Sequence, residues 1–135
     1  MKTTILVMMA CTTLLISIVF AQDEQELAGA MKTIGAANGA IRKTIAAKDS
    51  GETAANAEKL AATFKVVQSH FEEHHLEDGV NFAQTANKAA VNLASAAKAG
   101  EWDKASDELK TIGAQCQGCH TAHREKLADG TYKMK

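Results

Sequence analysis

Apolar residues recur at intervals of three and four along this chain, and its 135 residues include no proline to interrupt them. From about residue 23 to residue 48 the series has one polar member, and it consists of Leu27, Met31, Ile34, Asn38, Ile41 and Ile45. Side chains at these intervals share one face of an α-helix. Because alanine is abundant and proline is absent, intrinsic preference also favours helix. The pattern therefore predicts a first helix with one buried face.

Three more amphipathic helices are predicted at about residues 53–75, 80–98 and 101–128. We expect Ser50 to cap the second helix and Gly100 to end the third in the left-handed conformation. The expected inward-facing residues are Ala57, Leu60, Phe64, Val67, Phe71 and His74 in the second helix, Phe82, Ala86, Ala89, Leu93 and Ala96 or Ala97 in the third, and Trp102, Ala105, Leu109, Ile112, Cys116, Cys119, His123 and Leu127 in the fourth. The final segment, DGTYKMK, is expected to be a frayed tail. Four helices joined by short turns predict an all-α, antiparallel up-down-up-down four-helix bundle.

The chain opens with Lys2, a long apolar run and a polar segment that starts at Gln22. This pattern is typical of a secretory signal peptide, with Val19 and Ala21 at the small-residue positions before the cut. We therefore expect a signal peptide over residues 1–21, cleaved after Ala21, and a single domain over residues 22–135. The mature protein is expected to be periplasmic. Membrane attachment is expected only if the apolar segment is retained as an anchor.

The charge balance argues against a nucleic-acid partner. Lysines and arginines total 15 and acidic residues total 16, for a formal net charge of −1 at pH 7, and loss of Lys2 makes it more negative. Binding to nucleic acid generally requires a basic excess on the protein. Aromatic residues make up only 4% of the chain, so a core of side chains alone would be thin. A large apolar cofactor could complete such a core.

Near the C-terminus the segment AQCQGCHTAHREK contains Cys116, Cys119 and His120. On a helix the two thiols lie one turn apart on one face, with the imidazole beside them. This order suits covalent haem, because two thiols can bond to the vinyl groups while the next residue supplies a nitrogen to the iron. A structural zinc site usually needs a second cysteine pair, a thioredoxin-like pair needs a preceding strand, and a disulfide within one helical turn has poor geometry. Haem attachment is therefore favoured over these alternatives.

With this motif in its last helix, the chain resembles the class II c-type cytochromes, which comprise the cytochrome c-prime group and its low-spin relatives. The likeness is carried by AGEWDKASDELKTIGAQCQGCHTAHREK in the last helix and ELAGAMKTIGAANGAIRK in the first. It implies one covalently attached haem c, thioether bonds to Cys116 and Cys119, and His120 as the proximal iron ligand. Arg124 matches an arginine that holds a propionate or lies over the proximal imidazole. The family usually has Tyr or Phe at the place of His123, which we expect to be a partly exposed seam residue.

The resemblance also implies a ligand for the distal side of the iron, which the first helix crosses in this family. Aligning the first helices places Met31 there, as in the low-spin members. Ligation by His120 and Met31 implies an electron carrier that serves redox partner proteins and is not an enzyme. The alternative is a five-coordinate, high-spin cytochrome c-prime that binds NO or CO. The family further implies a homodimer formed through the first two helices.

The segment SHFEEHHLED contains a cluster of titratable side chains at His70, Glu72, Glu73, His74 and His75. The first histidine, the second glutamate and the second histidine match the inverted zinc-protease pattern, and Glu72 with His75 matches half of a di-iron motif. Because the sequence shows no third ligand and no second Glu-x-x-His, the cluster is interpreted as the polar end of a helix. A less favoured alternative is a non-haem metal-binding bundle that uses His70 and His74. Another is the approach of one of these histidines to the haem.

Overall fold

The computed structural model describes residues 2–135, and for residues 2–22 it describes the backbone alone. The chain forms four helices and then two short strands, which are α1 (Lys2–Ala46), α2 (Ser50–Glu73), α3 (Glu77–Ala99), α4 (Trp102–His123), β1 (Arg124–Lys126) and β2 (Tyr132–Met134). Each helix packs on the next one along the chain, after a connection of two or three residues. The predicted four-helix bundle is confirmed.

The predicted signal peptide and its cleavage after Ala21 fall in residues 1–21, outside the part of the chain whose side chains are described. They therefore stay predictions, as does the domain boundary at residue 22. Within residues 23–135, no helical stretch combines the length and the apolar character needed to span a bilayer.

The four helices pack unequally. The pair α2 and α3 has the most extensive contact, α1 packs on α2, and α4 packs on α3, whereas α1 and α4 touch each other little. The largest fully buried side chains are Phe71, Ile41, Leu60, Leu93, Ile112 and Thr53. Most buried residues of α3 are alanines, which let its neighbours approach closely. The contact between α1 and α4 is the slightest among the helix pairs that pack on one another in the described chain.

The predicted inward faces are largely confirmed. Leu27, Ile34 and Ile41 of α1 are buried, while the other members of that series are half-buried. The last member predicted for α2 was wrong: His74 is exposed at the helix end, and His70, one turn earlier, is buried. The partial exposure expected for His123 was also wrong. It is buried, with 8% of its surface exposed, because α4 ends against α2 and α3 there.

The N-cap of α2 is Asp49, so the prediction of Ser50 was wrong. Oδ1 of Asp49 accepts a hydrogen bond from the backbone N–H of Glu52 at 3.0 Å, which satisfies one of the free donors of the first turn. Ser50 lies one residue inside the helix. Its hydroxyl instead donates to the backbone oxygen of Ala97 at 2.7 Å and ties α2 to α3.

The turn between α2 and α3 lies earlier than predicted. The positive φ of 56° falls at His75, and α3 already begins at Glu77. Two carboxylates in the first turn of α3, those of Glu77 and Asp78, favour this start because they face the positive end of the helix dipole. At the other end of α3, Gly100 has the predicted left-handed conformation with φ of 73°, and its N–H bonds to the last turn.

The C-terminal segment forms an antiparallel hairpin, so its prediction as a frayed tail and the extension of α4 to residue 128 were wrong. Arg124 pairs with Met134 and Lys126 pairs with Tyr132. The intervening turn is closed by Gly130, whose φ is 86°, and by the carboxylate of Asp129, which accepts from the N–H of Thr131 at 2.9 Å. The N–H of Lys135 then donates to the carbonyl of His123 at 2.8 Å, so the chain end returns to the end of α4.

Candidate functional site

The last two turns of α4 bring the predicted thiols and imidazole together. Cys119 is buried with 9% exposure and belongs to the hydrophobic core, and Cys116, one turn earlier, is half-buried against that core. Both thiols are free. His120 is half-buried next to them. The motif therefore presents two thiols without a disulfide and one imidazole at the border between core and solvent.

Burial controls the protonation of this motif. It raises the pKa of the Cys116 thiol, and together with the nearby Cys116 and Asp78 it raises the pKa of Cys119 to about 11. The pKa of His120 is lowered, first by burial and then by the positive charge of Arg124. Both thiols are thus neutral near pH 7, and the imidazole is held in the uncharged form that ligates metal ions.

The spacer residue Gly118 permits a close contact between α4 and α3. A Cβ on Gly118 would lie only 2.6 Å from Cε1 of Phe82, so this aromatic ring packs directly on the backbone between the two cysteines. A larger spacer would push α3 and α4 apart at the motif. The contact therefore brings the backbone between the two cysteines directly against α3.

Just after the motif, His123 packs against residues of α2 and α3 at one end of the bundle. The ring of His123 packs on Phe71 with 5.1 Å between centroids, and its Nε2 lies 3.0 Å from Oδ2 of Asp78. Nε2 is buried and makes no hydrogen bond at this distance, so it lacks a hydrogen-bond partner among the described residues. Neither Asp78 nor Phe71 could be assigned to this contact from the sequence, since each lies on a different helix.

The inward face of α1 supplies the distal candidate. Met31 is half-buried and packs against the core. Two turns further along the same face, Oδ1 of Asn38 is buried and has no hydrogen-bond partner among the described side chains. An unpartnered buried oxygen is costly in a finished core. Its presence, together with the slight contact between α1 and α4, fits a bundle whose packing a further group would complete.

The residues present thus fit a haem. Two free thiols one turn apart and a neutral imidazole beside them are the donor set that thioether attachment and iron ligation require. A thioether on the inward face of α1 is available as a further ligand. These residue roles stay predictions.

Arg124, predicted near a propionate or the proximal imidazole, is the first residue of β1 and is exposed. Its guanidinium lies over the ring of Tyr132, 4.0 Å from the centroid. The cation stays close enough to His120 to lower its pKa. Its predicted role toward a propionate remains a prediction.

The three histidines at the end of α2 and in the following turn differ in their contacts. His70 and His74 both contact Asp23 of α1, whereas His75 is exposed in the turn. Asp23 was missed from the sequence, although a signal existed. It lies four residues before Leu27, so it extends the inward-facing series of α1 by one turn.

No protein-family model and no curated protein sequence matches this chain. Several solved structures are similar to it. The nitric oxide complex of a point mutant of cytochrome c prime from Alcaligenes xylosoxidans aligns with a TM-score of 0.64 at 20% identity, over 78% of this chain and 97% of the other. The ferrous form of a second variant of that protein, with bound NO, aligns with a TM-score of 0.63 at 20% identity, over 84% and 93% of the two chains.

These alignments show the fold. The chain is built as the four-helix bundle of these cytochrome c-prime structures, and the resemblance to that group is confirmed at this level. A further nitric oxide complex of the same protein aligns less closely, with a TM-score of 0.56 at 18% identity, over 84% of this chain and 97% of the other.

Proposed function

We propose that this chain is an exported haem c protein that carries single electrons between partner proteins. The observation that carries the proposal is the arrangement of the motif on α4. Cys119 lies in the core, and Cys116 and His120 are half-buried beside it, in a bundle whose first and last helices touch each other little. The fold likeness to cytochrome c prime supports this proposal.

Each residue then has a distinct task. Thioether bonds from Cys116 and Cys119 would fix one edge of the haem to α4, and His120 would bind the iron through its neutral imidazole. The haem would supply a one-electron couple. Met31 would close the distal side with a soft ligand that raises the reduction potential, and Arg124 would neutralise a propionate. Because Cys116 and His120 are partly exposed, the attached edge would lie within reach of a docked partner.

A second candidate function is the binding of a small gas such as nitric oxide at an open distal position. The specific observation in its favour is that the similar structures of cytochrome c prime are described with bound NO. On this alternative Met31 is a packing residue, since a methionine on a core face is ordinarily one. The two candidates differ in one measurable property, the coordination number of the iron.

Absorption and EPR spectra of the ferric and ferrous protein, produced with a haem-maturation system, separate the candidates. We expect six-coordinate, low-spin iron in both oxidation states, and no change in the spectrum when CO is added to the ferrous form. High-spin, five-coordinate iron that binds CO would reject the Met31 bond and support gas binding. Absence of haem after acid–acetone extraction would reject both candidates.

The variant Met31→Leu tests the distal ligand with little change in volume. We expect it to convert the iron to the high-spin form and to lower the reduction potential. Met134→Leu is the matched control, because Met134 also packs against the core as a half-buried residue, but on β2. A low-spin spectrum retained by Met31→Leu would show that another residue, such as a histidine of α2, holds the distal position.

The proposal includes a periplasmic location, redox partner proteins, no catalytic activity of its own, and a signal peptide removed after Ala21. Mass spectrometry of the exported protein is expected to show an N-terminus at Gln22. We further propose a homodimer through α1 and α2, supported by small exposed residues on α1 such as Gly29 and Ala36. Sedimentation of a monomer at micromolar concentration would reject the dimer.

A further inference from the structure

A second group of ligand-type side chains lies outside the motif on α4. Oδ1 of Asp23 on α1 lies 2.9 Å from Nδ1 of His70 on α2, and Oδ2 of Asp23 lies 2.6 Å from Nε2 of His74. One ligand atom from each of the three residues lies within 4.8 Å of the other two. The proposed haem site uses none of them.

We propose that Asp23, His70 and His74 form a site for a divalent transition-metal ion of the Zn²⁺ class, separate from the haem. Imidazole nitrogens and a carboxylate oxygen are the donor set that such ions select, in preference to the all-oxygen set of Mg²⁺ or Ca²⁺. Histidines four residues apart on a helix present their rings on one face, as zinc sites on helices require. The carboxylate from α1 supplies the third ligand that the sequence of α2 lacks.

The spacing of the donors is close to that of a bound site. Around zinc with bonds of about 2.0–2.1 Å, tetrahedral donors lie about 3.3–3.4 Å apart. The three donors lie within 4.8 Å of one another, and the pairs that join Asp23 to the histidines, now 2.9 Å and 2.6 Å apart, would widen to that value around the ion. The rings of His70 and His74 are already neighbours, with centroids 4.6 Å apart and planes inclined by 48°.

Burial differs among the three ligands in a way that suits an accessible site. The side chain of His70 is 8% exposed, that of Asp23 is 21% exposed and that of His74 is 38% exposed. The first is therefore fixed by packing, while the third leaves a path for the ion. A cavity of about 260 Å³ borders Asp23 and His70, with room for water molecules that complete the coordination.

The charges around that cavity are mostly negative. Glu26 and Glu73 line it together with Asp23, and Lys65 is the cation on its wall. Three carboxylates against one ammonium favour a divalent cation over an anion. Both glutamates lie next to the donor set and attract the ion without being required as ligands.

Binding of the ion would replace the hydrogen bonds between Asp23 and the two histidines with bonds to the metal. In the metal-free site each ring nitrogen that faces Asp23 donates its N–H to the carboxylate. A neutral imidazole carries its proton on either nitrogen, so a tautomer shift turns that N–H into a lone pair directed at the ion. The bound ion then replaces two hydrogen bonds and joins α1 to α2 directly.

The test is titration of the exported, haem-loaded protein, which begins at Gln22 under the proposed cleavage, with zinc chloride, followed by isothermal calorimetry. We expect one zinc ion per chain at this site, and at least tenfold weaker binding in His74→Ala and in Asp23→Asn. His75→Ala is the matched control, because His75 is the neighbouring exposed histidine outside the cluster and should bind zinc as the parent does. Equal binding by His74→Ala and the parent, or equal loss in His75→Ala, would overturn the proposal.

Two further measurements keep the test independent of the haem and of folding. If the protein carries no haem, the thiols of Cys116 and Cys119 could compete for zinc, and the double variant Cys116→Ser, Cys119→Ser removes them. In that double variant we expect His74→Ala to weaken zinc binding by the same factor. Zinc should also raise the thermal midpoint of the parent and of His75→Ala, but not of His74→Ala. No shift in the parent at saturating zinc would count against a site that joins α1 to α2.

Discussion

The ring of Phe71 occupies the space that a side chain at position 79 would need. Phe71 is 1% exposed, and a Cβ placed on Gly79 would overlap its Cγ and Cδ1 atoms. We expect Gly79→Ala to lower the free energy of unfolding by about 1–3 kcal/mol, because a fully packed ring has to move. Urea denaturation followed by circular dichroism measures this change.

Gly35 on α1 is the matched control for that substitution. It is also helical, but a Cβ there would have open space around it. We expect Gly35→Ala to raise the free energy of unfolding by about 0.5–1 kcal/mol, the gain from a better helix former. Similar effects of the two substitutions would contradict a steric cost at position 79.

Individual site residues were predictable to different degrees. Cys116, Cys119 and His120 stand together in the sequence, so their chemistry follows from spacing alone. Asp23 meets His70 across 47 positions of sequence, and that contact exists only because α1 packs on α2 with a particular rotation. Periodicity predicts which face of a helix is buried, but it does not predict which residues of two faces meet.

At the scale of single elements, the start of α2 depends on the cap at Asp49. We expect Asp49→Ala to lower the free energy of unfolding by about 1 kcal/mol, because the N–H of Glu52 loses its acceptor. Asp49→Asn should retain most of the stability, since the amide oxygen accepts the same bond. Thermal or urea denaturation compares the three proteins, and equal loss in both variants would point to charge instead of capping.

The C-terminal hairpin is a second element with a testable contact. We expect Tyr132→Ala to speed hydrogen exchange in residues 124–135, because it removes both the cation–π contact with Arg124 and a residue of β2. Glu125→Gln, which breaks only an exposed ion pair with Lys133 at 3.3 Å, should leave exchange nearly unchanged. Mass spectrometry of the terminal peptide measures both, and fast exchange in the parent would contradict an ordered hairpin.

The four helices were predictable because their apolar intervals are long and regular, whereas their ends were not. Asp49 and Ser50 are both good N-cap residues, and the structure gives Asp49 the extended backbone and the side-chain hydrogen bond of the cap. The hairpin was missed because its strands have three residues each, too short for an alternating pattern to appear. Asp129 and Gly130 were the available signal, since that pair commonly closes tight turns.

At the scale of the whole molecule, the proposed haem and the helices stabilise one another. The variant Cys116→Ser with Cys119→Ser is expected to lack covalent haem and to melt about 10 °C or more below the haem-loaded protein, as a loss of about 2–3 kcal/mol would produce. Circular dichroism at increasing temperature measures the midpoint. Ser106→Ala is a control for mutation on α4, since its hydroxyl bonds only to the preceding turn. Equal midpoints for the parent and the double variant would argue against a haem in the core.

The slight contact between α1 and α4 has a consequence for the route by which the chain assembles. Helices that pack mainly on their neighbours in sequence close short loops, and such chains fold rapidly. The unit formed by α2, α3 and α4 does not need α1 to bring its own helices together. Because α1 touches α4 little, we expect the docking of α1 on α2 to leave the thiols of α4 reachable. Attachment of the proposed cofactor would then not depend on whether the helix that carries Met31 has already docked.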